Sequence, residues 1–215
     1  MKAALLLPGH VRAYKETFQN QFETIIKPNN CDVYISTSTT KTVVRGNDIS
    51  SVKYGKEDLE AELKEFYGDL LLGIFVEEET EEDVKASTRD RHPDRSKQWL
   101  RLQQCNQMAK QSGVQYDFVI RSRTDLVFSR GIALSEDMPE TIYLMRHFDP
   151  KISIHDQFAF GVPELMDKYC KLYDNFAPEK DAGRSEEQLY NMLLQKQVPL
   201  TFIQQMVRFE MIRGC

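Results

Sequence analysis

Apolar residues along this chain come in two rhythms, short unbroken runs and stripes at helical spacing, and they alternate. "KAALLL" (Lys2 to Leu7) is an apolar run ended by Pro8-Gly9, which predicts a buried first strand followed by a loop. "YKETFQNQFETIIKP" spaces Phe18, Phe22, Ile25 and Ile26 at helical intervals and stops at Pro28. "CDVYIS" reads as a second strand leading into the hydroxyl-rich "STSTTKT". "KEDLEAELKEFYG" predicts an amphipathic helix closed by Gly68. "LLLGIFVEEE" is a third strand, and "SKQWLRLQQCNQMAKQSG" a helix capped by Ser96 and closed by Gly113. Later come shorter segments around "TIYLMRHF" and "DQFAFG", helices over Pro163–Phe176 and Ser185–Gln195, and a final strand in "VPLTFIQQMV". The alternation predicts an α/β domain over residues 1–215, with a mostly parallel central sheet flanked by helices and a mixed second half.

One stretch departs from these rhythms. "YDFVIRSRTDLVF" begins and ends as a strand, yet Arg121, Arg123 and Asp125 interrupt it. In a continuous strand these residues, two apart, share one face. Unpaired ions beside a core cost several kcal/mol each, so the trio calls for a partner. In open α/β sheets ligands bind at the carboxyl ends of the strands. "PGHVR", "STSTT" and "RSRTD" all follow or interrupt a strand there, so they are expected to line one cleft. A carboxylate at such a place suits Mn2+ or Mg2+, which take oxygen ligands and bridge to substrate phosphates. Asp125 is therefore the candidate metal ligand, with Arg121 and Arg123 neutralising a diphosphate. The competing reading is an Arg-Asp pair that satisfies itself at the strand end.

Composition narrows the class. The net charge of −5 argues against a nucleic-acid coat, which needs a basic face, but leaves room for a local cationic pocket. Cys31, Cys105, Cys170 and Cys215 are scattered without zinc-type spacing, which suits reduced thiols and a cytoplasmic protein. Neither a signal peptide nor an apolar stretch of membrane-spanning length is evident. The abrupt end at "EMIRGC" is compatible with a domain of a longer polypeptide.

"YDFVIRSRTDL" resembles the strand and acidic motif of GT-A nucleotide-sugar glycosyltransferases, in which a DxD motif holds the metal. With "ALLLPGHVRAYKETF", "CDVYIST", "QWLRLQQC" and "DQFAFG" in the same order, nearly the whole chain resembles the glycosyltransferase domains encoded by chloroviruses. Host cytoplasm would then be the compartment. Arg123 stands where the motif has its first acid, so only Asp125 matches. The resemblance implies a GT-A-like Rossmannoid fold, a nucleotide-sugar donor with UDP-sugar foremost, a glycan or glycoprotein acceptor, and Mn2+ or Mg2+. It also implies that Pro8, Gly9, His10 and Arg12, then Ser36, Thr37 and Ser38, hold the nucleotide.

Inverting transfer needs a base for the acceptor hydroxyl, and Asp156 at the start of an apolar strand is the candidate. Its alternative is a strand-start Asp bonded to backbone. Glu186 and Glu187 are fallback bases, already accounted for by the dipole of a helix first turn. His147 and His155 lie where such enzymes carry a further metal ligand, and loop histidines are the favoured reading. "RDRHPDRSK" offers Arg89, Arg91, Arg95 and Lys97 to close over a diphosphate, or simply a charged surface loop. The acidic run "EEETEED" is expected to face solvent. Two other functions stay open: a nucleotidyltransferase, and a module that binds a sugar nucleotide or glycan with little or no turnover.

Overall fold

The computed structural model describes residues 1–45, 48–79, 95–146, 154–175, 185–203 and 207–212, with side chains described for all of these except 41–45, 48–52, 95, 96, 175 and 185. The strands in chain order are β1 (Ala3–Pro8), β2 (Cys31–Ser38), β3 (Thr40–Arg45), β4 (Asp48–Lys53), β5 (Leu71–Glu77), β6 (Phe118–Arg121), β7 (Leu126–Arg130), β8 (Ile142–Met145), β9 (His155–Gly161), β10 (Leu200–Phe202) and β11 (Arg208–Met211). The helices are α1 (Tyr14–Gln21), α2 (Lys56–Tyr67), α3 (Arg95–Gln111), α4 (Pro163–Cys170) and α5 (Ser185–Gln195).

Seven strands form the central sheet in the order β10-β8-β9-β6-β1-β2-β5. β5, β2, β1 and β6 are mutually parallel, and β9 runs antiparallel between β6 and β8. A mostly parallel first half with a mixed second half is what the alternation of strands and helices predicted. The order reverses at β1: β2 and β5 follow it on one side, and β6 then returns to its other side. Such a switch point leaves a crevice at the carboxyl ends of the strands.

β1 is apolar throughout because both its faces are covered. Ala3, Leu5 and Leu7 pack with Ile25, Leu59, Leu63 and Tyr67 from the α1 and α2 side. Ala4 and Leu6 pack with Trp99, Leu102, Cys105, Tyr169 and Leu189 from α3, α4 and α5. Cys31, Cys105 and Cys170 are buried and form no disulfide among the described residues. Burial also pushes the Cys31 thiol up to about 12, so it stays protonated.

Several expectations need correction. The first helix ends its α geometry at Gln21 and continues as a π-turn over Phe22–Ile26 before Pro28. Ser96 lies inside α3, which already begins at Arg95, so it is not the cap. The helix expected to reach Phe176 stops at Cys170, followed by a short 3-10 turn at Tyr173–Asn175. Thr40–Arg45 and Asp48–Lys53 pair antiparallel as β3 and β4, two strands that the sequence pattern did not assign. Gly46 and Asn47, between them, lie outside the described residues. β11 was also missed, and it pairs antiparallel with β7 away from the main sheet.

The largest correction concerns the interrupted strand. β6 ends at Arg121 and β7 begins at Leu126, so the two apolar flanks belong to different sheets. Side chains from α1 hold the turn between them: Gln21 Nε2 donates to the carbonyls of Arg123 (2.9 Å) and Leu126 (2.8 Å). Thr17 Oγ1 donates to the Thr124 carbonyl (2.5 Å), and the Ile212 amide to that of Asp125 (2.8 Å). With its backbone groups satisfied this way, the turn needs no ladder partner.

Candidate anion-binding and catalytic site

The turn after β6, the loop after β1 and the end of β2 meet at the switch point. Gly9 adopts φ 107°, a left-handed conformation that strains other residues. Its amide donates to the Ser36 carbonyl (2.9 Å), which ties the β1 loop to β2. A Cβ on Gly9 would meet nothing within 4 Å, so this loop borders open space. Thr124 joins the same loop to the turn after β6: its hydroxyl accepts from the Arg12 amide (3.1 Å) and lies in donating reach of the His10 and Arg12 carbonyls. Ser38 Oγ contacts His10 Nδ1 at 3.3 Å, and Ser36 Oγ donates to Gln104 Oε1 (2.6 Å). The expected residues Pro8, Gly9, His10, Arg12, Ser36, Thr37 and Ser38 are thus assembled around one place.

The charged trio does not share a face. Arg121 continues β6 in register with Leu6, on the side of the sheet covered by α3 and α4, and is 1% exposed. Arg123 and Asp125 sit in the turn and bond each other: Nε donates to Oδ1 (2.8 Å) and Nη2 to Oδ2 (2.7 Å). Asp125 is 2% exposed, whereas the Arg123 side chain keeps 24% of its surface. Burial opposes the charge on Arg123; its bonds to Asp125, with Asp156 further off, outweigh that and hold the guanidinium above its ordinary pKa.

Asp156 reaches the site because β9 runs antiparallel to β6, which sets the beginning of one strand beside the end of the other. It is buried, and its Oδ2 accepts a 2.7 Å bond from Gln98 Nε2 of α3. His155, next to it, packs edge-on against Phe209. The Arg95 side chain, Arg89, Arg91 and His147 lie outside the described residues. Lys97 is 3.8 Å from Glu79.

Sequence reasoning missed Arg101. It is buried in α3, with Nη2 donating to Glu77 Oε2 (3.1 Å) and Glu79 Oε1 (2.9 Å). This corrects the reading of "EEETEED" as wholly solvated: Glu77 and buried Glu79 grip a cation, while residues 80–83 lie outside the described residues. A signal existed. Gln98 and Arg101 each precede a residue of the thin apolar stripe Trp99, Leu102 and Cys105, so they border the buried face of α3.

Polar atoms without partners give the site its character. Among the described residues, the buried Arg12 Nε, Thr37 Oγ1, Arg101 Nε, Arg121 Nε, Arg121 Nη1 and Ser122 Oγ have no hydrogen-bond partner. Buried polar groups are nearly always bonded, so a concentration of orphaned donors marks a place built for acceptors from outside the chain. Neither Arg12 nor Arg121 has a salt-bridge partner among the described residues.

Burial, then the charges of Arg101, Arg12 and Arg123, lower the His10 imidazole to about 3. His10 is therefore neutral in the folded chain at pH 7. An unfolded histidine titrates near 6.5, so the unfolded state binds the extra proton between that pH and about 3. Stability from this group is complete above pH 6.5 and falls by up to about 1.4 kcal/mol per unit as the solution is acidified. Urea denaturation at pH 7, 5.5 and 4.5 checks this. His10→Gln is expected to flatten the profile, and an unchanged slope would remove His10 as the cause.

A divalent ion is poorly served here. Asp125, expected as the metal ligand, has both oxygens engaged by Arg123, and a dication placed against it would be repelled by that guanidinium by several kcal/mol. Among the described residues no group of three or more His, Cys, Asp or Glu side chains could hold a metal ion. These residues do not fit Mn2+ or Mg2+.

The sheet order and the crevice are those of the GT-A-like, Rossmann-type fold, and comparison with solved structures agrees. A mannosyltransferase from Pyrobaculum calidifontis, solved with GDP-Man and Mn2+, superposes with TM-score 0.51 at 12% identity, covering 95% of this chain and 55% of its own. A nucleoside-diphosphate-sugar pyrophosphorylase from Vibrio cholerae RC9 gives TM-score 0.52 at 11% identity, covering 97% of this chain and 95% of its own. The glycosyltransferase GlyE of Streptococcus pneumoniae TIGR4, at TM-score 0.46 and 11% identity, covers 93% of this chain and 44% of its own, a likeness too slight to bear on the fold. The chain therefore spans about half the length of the two glycosyltransferases. No protein-family model matches it, and no curated protein does. None of the three structures is a chlorovirus protein. No helix among the described residues is long and apolar enough to cross a membrane.

Proposed function

We propose that the chain is a sugar-nucleotide-dependent glycosyltransferase. The observation that carries this reading is the concentration of orphaned buried donors at the sheet's switch point, with the held carboxylate of Asp156 at its edge. A nucleoside diphosphate sugar, with a uridine diphosphate sugar the first to try, supplies acceptor oxygens that such donors lack. The glycan hydroxyl attacks the anomeric carbon as its bond to the diphosphate oxygen breaks. The hydroxyl proton goes to Asp156, and the leaving diphosphate takes the electron pair, which inverts the anomeric centre. Fixed cationic and hydroxyl donors aimed at the departing oxygen contribute a few kcal/mol each to such a step.

A nucleotidyltransferase is the second reading, favoured by the near full-length correspondence with the Vibrio cholerae protein. "PGHVR" argues against it, because its single glycine makes a short loop for a triphosphate. A panel of nucleotide sugars with glycan acceptors, run with Mn2+ and again with EDTA, separates the readings. Release of nucleoside diphosphate is the expected result. Pyrophosphate formed from a nucleoside triphosphate and a sugar phosphate would replace this reading with the second, and thermal stabilisation without turnover would reduce the protein to a binder.

A further inference from the structure

Recognition of a sugar nucleotide requires something to neutralise its diphosphate, and the lack of fit for a divalent ion leaves that task to side chains. Arg123 stands in the first acidic position of the expected motif and closes on both oxygens of the second. Its side chain stays 24% exposed, so part of it faces outward beyond the carboxylate it holds. Arg12 lies within electrostatic reach of both Arg123 and Asp125, and its orphaned Nε lacks an acceptor. The Arg12 amide donates to the hydroxyl of Thr124 (3.1 Å), the residue between Arg123 and Asp125, so two like charges are held on one side of the crevice, and burial and the charge of Arg123 lower the Arg12 guanidinium. Like charges collected near a glycine loop open to solvent are stabilised by an anion between them.

We propose that the diphosphate of the donor is bound by guanidinium groups, Arg12 foremost with Arg123 beside it, and that Arg123 takes the role and the room of a divalent cation, making donor binding independent of metal. The proposal rests on the sugar-nucleotide reading and adds to it the identity of the group that neutralises the leaving diphosphate. Planar guanidinium groups meet phosphate oxygens in pairs of parallel bonds, which an ammonium group cannot reproduce. Charge that builds on the departing oxygen then falls to fixed cations rather than to an ion that arrives with the substrate.

Calorimetric titration of the full chain with UDP and with GDP, in EDTA and again in Mn2+, tests this. The expected result is binding of at least one nucleoside diphosphate with the same Kd, within about twofold, in both conditions. Arg12→Gln, which breaks no salt bridge among the described residues, is expected to weaken that binding by at least about tenfold in both. Arg123→Lys, which keeps the charge and loses the fork, is expected to weaken it as well. Binding seen only with Mn2+ overturns the proposal and leaves the sugar-nucleotide reading standing. Metal-independent binding that Arg12→Gln leaves unchanged also overturns it, because the diphosphate is then held elsewhere. No binding in either condition overturns the proposal and the sugar-nucleotide reading together. Should a variant fail to fold, the comparison of EDTA with Mn2+ on the unaltered chain still decides.

Discussion

Arg123→Ala lowers the unfolding free energy by about 3–5 kcal/mol, the range for stranding a buried charge without its partner. Asp125 keeps only 3% of its side-chain surface, so water cannot replace the two bonds that Arg123 supplies. The reverse substitution costs less. In Asp125→Ala the stranded group is Arg123, whose side chain is 24% exposed and can turn to solvent, and the loss is expected near 1–2 kcal/mol. For a chain whose total stability is about 5–15 kcal/mol, the first change alone brings it close to unfolding. Urea denaturation of the three proteins, compared at equal slope, reads the asymmetry directly. Equal losses, or a larger loss for Asp125→Ala, would contradict a buried carboxylate held by a half-open arginine.

Asp156→Asn is expected to lower turnover by about 100- to 10,000-fold, the usual contribution of a positioned general base. The substitution preserves shape and keeps an oxygen to accept from Gln98 Nε2, so the pairing between β9 and α3 survives. Nucleoside diphosphate affinity should therefore change little while kcat collapses. Loss of affinity in step with kcat would make Asp156 a binding or structural group, and full activity would send the search to Glu186 and Glu187 in the first turn of α5. Side-chain truncation to Ala is a poorer test, because it orphans Gln98 inside the structure.

Much of the fold was legible because it rests on local periodicity. β1 is apolar at every position and is covered on both faces, and α2 follows its stripe of Leu59, Leu63 and Tyr67. What escaped were the elements that pair outside the main sheet, the β3-β4 hairpin and the β7-β11 ribbon. β3 and β4 are neighbours in sequence whose hydroxyl and charged residues blur the alternation, and β11 is short and mixed in polarity with its partner β7 far back along the chain. In the site, the three segments expected to converge do so. Arg101, Gln98 and Thr124 escaped notice because each looks like an ordinary polar residue of a helix or turn. Burial sets Arg101 and Thr124 apart and a bond to Asp156 sets Gln98 apart, and both are properties of the assembled layers.

The sequence by itself determined the layered α/β architecture, the mixed second half and the segments that meet at the end of the sheet, since spacings of two and of 3.6 residues are written into neighbouring positions. Tertiary structure decided where each charge went. Whether Arg121, Arg123 and Asp125 stand together depends on where β6 stops. Gln21 and Thr17 of α1 hold that break, and Ile212 beyond β11 completes it, all about 85 residues or more away along the chain. A carboxylate near a cleft can take a metal or an arginine with equal ease on paper. The choice is made by which cation the folded backbone brings within hydrogen-bond distance first, and here that cation is Arg123.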